Sequence, residues 1–399
     1  MAGTRRIAYL VHDLQDAAVA RRVAMLRHAG HRLRLAGFHR RGTAPARVSD
    51  VAATTLGRTQ DGRLVARLLS VLRHFCMPGR VRAITADADV LVARNLETLV
   101  LAARVRRDGQ RLVYECLDIH RLLLSAGMAG RLVRAIEGWA MRRLDLLVVS
   151  APAFRDAYFA GQRGYCGPSL LLENKVPAYA PGQAAGQVAV PEPPSRGFLG
   201  TRAAPWVIGW FGMLRCRRTL EMLGQIAARS HGRIEVLIAG KPSPAEFADF
   251  AGTVGAMPGV RYVGPYTPAD LPGLFGQIHF IWAIDYFEEG LNSQWLLPNR
   301  LYEGIAHGAV PIALDKVATG QWLRQRGAGL RVAQPVAELD ALLAELTLAE
   351  YEDLRARVAA IPASDVWLLP EECAASVARI ADARPRGTNR PETLREVAA

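Results

Sequence analysis

The sequence predicts an α/β protein built as two Rossmann-like domains, on three observations. The chain is 399 residues long, more than a single compact core of ordinary size holds. Short apolar runs alternate with stretches of helical spacing along most of it, the pattern of parallel sheets covered by helices. Between Pro177 and Pro205 that alternation gives way to Pro, Gly, Ala and Gln, then restarts.

Taken in order, residues 7–11 form an apolar strand, 17–29 carry helical periodicity, Gly30-His31 ends that helix, and 32–38 is a second strand. Further strands are expected at 89–93, 111–116 and 144–150, with a helix at 96–105. After the interruption, strands at 206–211, 234–239, 260–263, 279–284 and 310–314 alternate with helices at 219–229, 245–254, 271–275 and 299–307. Helices at 339–359 and 364–381 close the pattern, with Ser364-Asp365 as capping side chains for the second, and 384–399 reads as a frayed polar tail. The resulting division is an N-terminal domain at 1–177, a linker at 178–205, a second domain at 206–363 and a C-terminal helix and tail at 364–399.

Half the residues are hydrophobic (50%), ample for two cores and contrary to wholesale disorder. Fifty Lys and Arg against 37 Asp and Glu leave a formal charge of +13, which favours anionic partners: nucleic acid, an acidic membrane surface, or the phosphates of a small ligand or lipid carrier. No zinc-finger spacing, helix-turn-helix pattern or RNA-binding aromatic signature is present, so nucleic acid is not expected. Cys76, Cys116, Cys166, Cys216 and Cys373 are odd in number and scattered, and read as reduced structural thiols. The first strand is too short for a signal-peptide core, and no apolar run is long enough to span a bilayer. The expected location is cytoplasmic, with membrane contact, if any, peripheral to the inner membrane.

The chemistry concentrates in residues 282–313, WAIDYFEEGLNSQWLLPNRLYEGIAHGAVPIA. A helix starting near Asn299 offers unpaired N–H groups and a partial positive charge, a seat for a diphosphate. Glu303, one turn in, can accept two hydrogen bonds from a vicinal diol such as a nucleotide ribose. Upstream, Gly209-Trp210-Phe211-Gly212 runs into Arg215, Arg217 and Arg218; glycine permits close backbone approach, and guanidinium groups grip phosphate oxygens. Lys241 ends a strand where open α/β sheets bind ligands, and Pro265-Tyr266 follows another. In the first half, His12-Asp13 and Asp118-Ile119-His120 follow strands. His12-Asp13-Leu14-Gln15 is no G-x-G-x-x-G turn, which argues against a dinucleotide-dependent dehydrogenase.

Pro298-Asn299-Arg300-Leu301-Tyr302-Glu303, with Gly308 and Val310-Pro311-Ile312-Ala313, resembles the donor-site signature of the family 4 retaining glycosyltransferases. More narrowly, Asn292-Ser293, the run from Trp295 to Arg300, Thr319-Gly320, Trp322-Leu323 and the run from Gly209 to Gly212 are similar to bacterial exopolysaccharide enzymes of the succinoglycan-biosynthesis kind. The likeness extends over residues 7–330 or so. It implies a GT-B fold, two Rossmann-like domains facing across a cleft with a C-terminal helix crossing back. It also implies transfer from a nucleotide sugar with retention of configuration, no obligatory metal, and no cofactor beyond the nucleotide sugar itself.

By that resemblance, Glu303 holds the ribose, while Gly212, Arg215, Arg218, Lys241, Asn299 and Arg300 complete the donor site, Arg215 and Arg218 being favoured over Arg217 for the diphosphate. No lysine occupies the loop position the family uses, and Trp295 stands where a further glutamate is usual. Glu288, Glu289 and Asp285 are carboxylates that can substitute, and Glu289 joins Asp118 and His120 as a catalytic candidate. Glu173-Asn174-Lys175 marks the hinge. Asp87-Ala88-Asp89 matches a metal motif of a different glycosyltransferase architecture, but it reads as a strand entry and no metal is assigned. The implied acceptor is a lipid-linked oligosaccharide, which gives an acidic membrane surface a part. The alternatives are a nucleotide-sugar epimerase of the same fold and a catalytically degenerate scaffold or lipid-carrier binding subunit.

Overall fold

A computed structural model describes residues 4–40, 42–59, 64–178 and 205–383, with side chains in the helix that starts at Leu64 described from residue 70. Nearly all of the expected linker and the whole expected tail lie outside these residues. The chain divides into two compact units, Met1–Leu172 with Glu371–Ala399, and Glu173–Pro370.

In the first unit the strands are β1 (Arg6–Val11), β2 (Arg32–His39), β3 (Arg47–Val48), β4 (Val51–Arg58), β5 (Val90–Arg94), β6 (Arg111–Cys116), β7 (Leu146–Val149) and β8 (Ser169–Leu171). They form one sheet in the order β3-β4-β2-β1-β5-β6-β7-β8, parallel except for the β3–β4 pair. β1 and β5 are buried almost throughout because helices cover both sheet faces, which is why they read as unbroken apolar runs. The last helix, Pro370–Ala381, returns to this unit. Arg5 pairs with Asp382 (3.0 Å) just past its end, Arg111 donates to the Ala381 carbonyl (2.7 Å), and Arg379 donates to the Ser169 carbonyl (2.8 Å).

The second unit holds β9 (Val176–Pro177), β10 (Trp206–Leu214), β11 (Ile234–Pro242), β12 (Val260–Tyr262), β13 (Phe280–Trp282), β14 (Val310–Leu314), β15 (Leu330–Val332) and β16 (Trp367–Leu368). Six of them make a parallel sheet in the order β12-β11-β10-β13-β14-β15, and β16 pairs with β9. Val207, Phe211, Leu237, Ile281 and Phe275 form one face of its core, each large side chain contributing roughly 1.5–3 kcal/mol on burial. The strand order reverses between β10 and β13, and open parallel sheets bind ligands beyond the C-terminal strand ends at such a reversal. β10 and β13 run there into Arg215 and Asp285.

Several elements differ from the sequence expectation, each for a local reason. β10 and β11 run three residues past their expected ends, Gly212, Met213 and Leu214 staying in register with Gly240, Lys241 and Pro242. The helix expected at 245–254 starts at Phe250, because the Asp249 carboxylate accepts from Gly252 N (2.8 Å) and caps it there. The helix expected at 339–359 is two, Pro335–Glu345 and Leu348–Ala359, divided by a capping box in which Glu350 Oε2 accepts from Thr347 N (2.8 Å). Ser364-Asp365 does not cap the last helix. It sits in a single turn, Ala363–Val366, where Asp365 takes Arg326 (2.9 Å), and β16 intervenes before Pro370. Residues Phe154–Gln162 wind as a π-helix with Phe154, Tyr158 and Phe159 buried, and Tyr158 donates to Glu137 (2.7 Å).

Candidate functional site

The helix Asn299–Ala306 begins after Pro298 in extended backbone (φ −73, ψ 149), with no side chain capping it. Pro298 offers no side chain to the first-turn N–H groups, so the cap leaves the partial positive charge of the helix end unmasked. The turn before it is pinned from two directions: Asn174 Nδ2 donates to the Leu297 carbonyl (3.0 Å), and Thr319 Oγ1 donates to the Leu296 carbonyl (3.1 Å). Inside the helix, buried Tyr302 packs edge-on against Trp322 (5.8 Å) and donates to Glu173 Oε1 (3.1 Å). Burial pushes the Glu173 carboxyl above its ordinary range, against the hydrogen bond from Tyr302.

Arg300, second in the helix, turns inward. Its Nη2 donates to the Ile284 carbonyl (2.6 Å) and stands 3.7 Å from Asp285 Oδ2, with the two side chains 13% and 14% exposed. Its Nε is buried without a hydrogen-bond partner. Burial draws the guanidinium below its usual pKa; Asp285 opposes this, and the neighbouring charge of Arg215 adds to it. Asp285 also accepts from Ser293 Oγ (2.6 Å) and from Phe287 N (3.0 Å), so one carboxylate ties both ends of the 285–293 loop to the helix start.

The arginines of the β10 loop are sorted by aromatic rings. Half-buried Arg215 lies over Phe287 (4.4 Å), Arg218 over Tyr286 (4.4 Å), and Arg217 turns to Phe247 (5.3 Å). Arg218 also pairs with Glu289, but at 50% and 52% exposure water screens that pair and it adds little stability. At the ends of β10 and β11, Gly212 and Gly240 have φ of +120 and +141. A Cβ on Gly240 would lie 1.8 Å from the Gly212 carbonyl oxygen, whereas one on Gly212 would meet nothing within 4 Å. The strand end thus presents bare backbone beside open space.

Of the residues singled out from sequence, Gly212, Arg215, Arg218, Lys241, Asn299, Arg300, Glu303 and Glu289 all belong to the second unit, Gly212 and Lys241 near the ends of β10 and β11 and the others on segments that follow strands. Lys241 is exposed next to Met213 in register, and Glu303 is half-buried one turn into its helix. Asp118 and His120 belong to the first unit, just past β6. Asp118 is exposed, and its carbonyl accepts from Cys116 Sγ (3.6 Å). His120 Nδ1 accepts from Leu122 N (3.3 Å) and so caps the turn Arg121–Leu124. Trp295 is half-buried behind the turn Asn292–Gln294. Among the described residues no group of three His, Cys, Asp or Glu is placed to hold a metal ion.

Sequence reasoning did not find the part played by Tyr286 and Phe287, and it read Asn174 only as a hinge marker. The available signal was the Asp285-Tyr286-Phe287 triplet directly after an apolar strand, but its partners lie about seventy residues earlier in the chain.

The parallel sheets of the two units, taken with the similar proteins that follow, define a glycosyltransferase of the GT-B class. Sucrose-phosphate synthase from Thermosynechococcus elongatus matches with a TM-score of 0.68 at 14% identity, over 94% of this chain and 98% of that one. HepE of Anabaena, solved with UDP, matches with a TM-score of 0.66 at 14% identity over the same shares, 94% and 98%. WaaG, a glycosyltransferase involved in lipopolysaccharide biosynthesis, matches at 0.59 and 15% identity, over 93% of this chain and 99% of its own. No protein-family model matches the chain. The chain belongs to the family of the succinoglycan biosynthesis protein ExoL: the Rhizobium meliloti (strain 1021) protein is 42% identical over 360 residues, 88% of this chain and 87% of the relative.

Proposed function

We propose that the chain moves a sugar from a nucleoside diphosphate sugar, bound by the second unit, to a lipid-linked saccharide in bacterial exopolysaccharide biosynthesis, with retention of configuration. The observation that carries the donor half is the charge at the uncapped helix start. Arg300 and Arg215 share the single nearby carboxylate of Asp285, which stands 3.7 Å from Arg300 Nη2, and the buried Arg300 Nε has no hydrogen-bond partner, so positive charge is left over. A diphosphate supplies the compensating anion. The ExoL relative is named for succinoglycan biosynthesis, which supports the pathway, and HepE has been solved with UDP-glucose, which supports uridine as the donor's nucleoside.

In this reading Glu303 accepts the ribose diol, Arg215 and Arg218 grip the diphosphate, and the helix N–H groups at Asn299 complete the anion site. Gly212, having no side chain, leaves the space beside its strand end open to the ligand, Lys241 reaches phosphate or base, and Arg300 holds the loop through Asp285. As the bond between the anomeric carbon and the diphosphate breaks, charge gathers on the leaving oxygens, and fixed cations in place beforehand lower that barrier. The acceptor hydroxyl forms the new bond on the same face and gives up its proton to the departing nucleoside diphosphate. Asp118 and His120 in the first unit and Glu289 in the second are the candidate groups for acceptor and sugar. The reaction needs no cofactor or metal beyond the nucleotide sugar.

A thermal-shift panel of UDP-, GDP- and ADP-sugars tests this, since a ligand bound only by the folded state raises the melting temperature. A UDP-sugar is expected to raise it, with the rise lost in Arg215→Ala and Glu303→Ala. No rise with any donor on folded protein would favour a scaffold, and turnover of donor without acceptor would favour an epimerase.

A further inference from the structure

Among its described residues the first unit leaves four large apolar side chains open to water: Leu72 (50% exposed), Met77 (65%), Met128 (78%) and Leu132 (63%). Leu72 lies on the helix Leu64–Cys76, Met77 directly follows it, and the other two lie on the helix Met128–Met141. The two helices meet through Phe75 and Trp139, whose ring centroids are 6.0 Å apart. Met128, Leu132, Ala135 and Trp139 follow one another at helical spacings of four, three and four, so they share one face. Leu72 is one turn from Phe75. The apolar stripe is therefore continuous from Met128 across the Phe75–Trp139 contact to Leu72, an arrangement that marks an interaction surface when left uncovered.

Its charge names the partner. Arg73, Arg131, Arg142 and Arg143, on or directly after these two helices, and Arg80, three residues past Met77, are all exposed, and Arg143 lies over Trp139 at 4.3 Å. Residues 64–86 contain no acidic side chain. The single acid of residues 121–143, Glu137, is buried against Tyr158 and Arg163 and offers no countercharge at the surface. Apolar side chains rimmed by arginine suit the headgroup layer of an anionic bilayer, where the side chains enter the acyl boundary and the guanidinium groups meet lipid phosphates. Among the described residues no helix is long and apolar enough to cross a membrane.

We propose that this two-helix face of the first unit seats the protein on an acidic lipid surface. Its use rests on the lipid-linked acceptor proposed above, but its test does not. Full-length protein is sedimented with vesicles of phosphatidylcholine alone or mixed with phosphatidylglycerol, without nucleotide sugar or acceptor. Expected is strong partitioning onto the mixed vesicles only. Leu132→Ser and Arg131→Gln should each weaken it by roughly fivefold, about the effect of one surface arginine, while Leu342→Ser, a partly exposed leucine of the second unit, leaves it unchanged. Near-ultraviolet circular dichroism confirms that each variant is folded. Equal partitioning onto both vesicles, none onto either, or equal loss in Leu342→Ser would overturn the proposal. The donor thermal shift is read without vesicles, so either proposal can fail alone.

Discussion

Replacing Gly240 with alanine would set a methyl group 1.8 Å from the carbonyl oxygen of Gly212, in the neighbouring strand, at φ +141. Two costs add. A side chain held in this backbone region costs about 1–3 kcal/mol, and forcing a paired strand aside costs about 1–3 kcal/mol more. Gly212→Ala isolates the first cost, because its φ of +120 is equally unfavourable but its Cβ meets nothing within 4 Å. Urea unfolding, followed by the fluorescence of the buried Trp206 and Trp210 on β10, gives both free energies from midpoint and slope. Gly240→Ala is expected to be the less stable of the two. Gly212→Ala, which fills the open space beside Arg215, is expected to lose donor binding out of proportion to its stability. Equal stability of the two variants would refute the close approach of the strand ends, and normal donor binding by Gly212→Ala would refute its place in the site.

Glu115 lies buried, accepting from Arg22 Nε (2.5 Å), Tyr9 OH (2.5 Å) and Arg94 Nη1 (3.3 Å). Burial alone would raise its pKa, but Arg22 and Arg94 overcome that and hold it at about 2. A depressed carboxylate stabilises the fold above its unfolded pKa near 4.5, and that contribution, roughly 3 kcal/mol, is lost as pH falls from there to about 2. The urea midpoint should therefore drop through this acid window in wild type and drop less in Glu115→Gln, which at neutral pH leaves Arg22 without its carboxylate and Arg94 with only Asp16 at 3.8 Å, and costs about 3–5 kcal/mol. Thr347→Ala removes the cap that divides two helices and should lower unfolding free energy by about 1 kcal/mol, with little change in donor binding.

The buried strands are readable from sequence because β1, β5 and β10 are covered on both faces and need apolar side chains nearly throughout, a demand that leaves a visible run. Helix ends are less readable. Apolar spacing continues from Leu339 through Tyr351, and only the Thr347-to-Glu350 capping pattern marks the break. At the site, residue types are legible and pairings are not. Nothing near Arg215, Arg217 and Arg218 in the chain separates them; the distinction comes from Phe287, Phe247 and Tyr286, brought to them by the fold. Asn174 likewise shows its function only once the Leu297 carbonyl stands 3.0 Å away. Pairings of this kind depend on sheet order, which local periodicity does not encode.

Calorimetric titration of a UDP-sugar into wild type, Arg215→Ala and Arg217→Ala reads the cationic pocket of the second unit most directly. One charge-assisted contact to phosphate is worth about 1.5–3 kcal/mol, so Arg215→Ala should weaken binding at least tenfold, while Arg217→Ala, whose side chain is turned to Phe247, binds as wild type does. Unchanged affinity in Arg215→Ala, or loss confined to Arg217→Ala, would contradict the placement of the diphosphate.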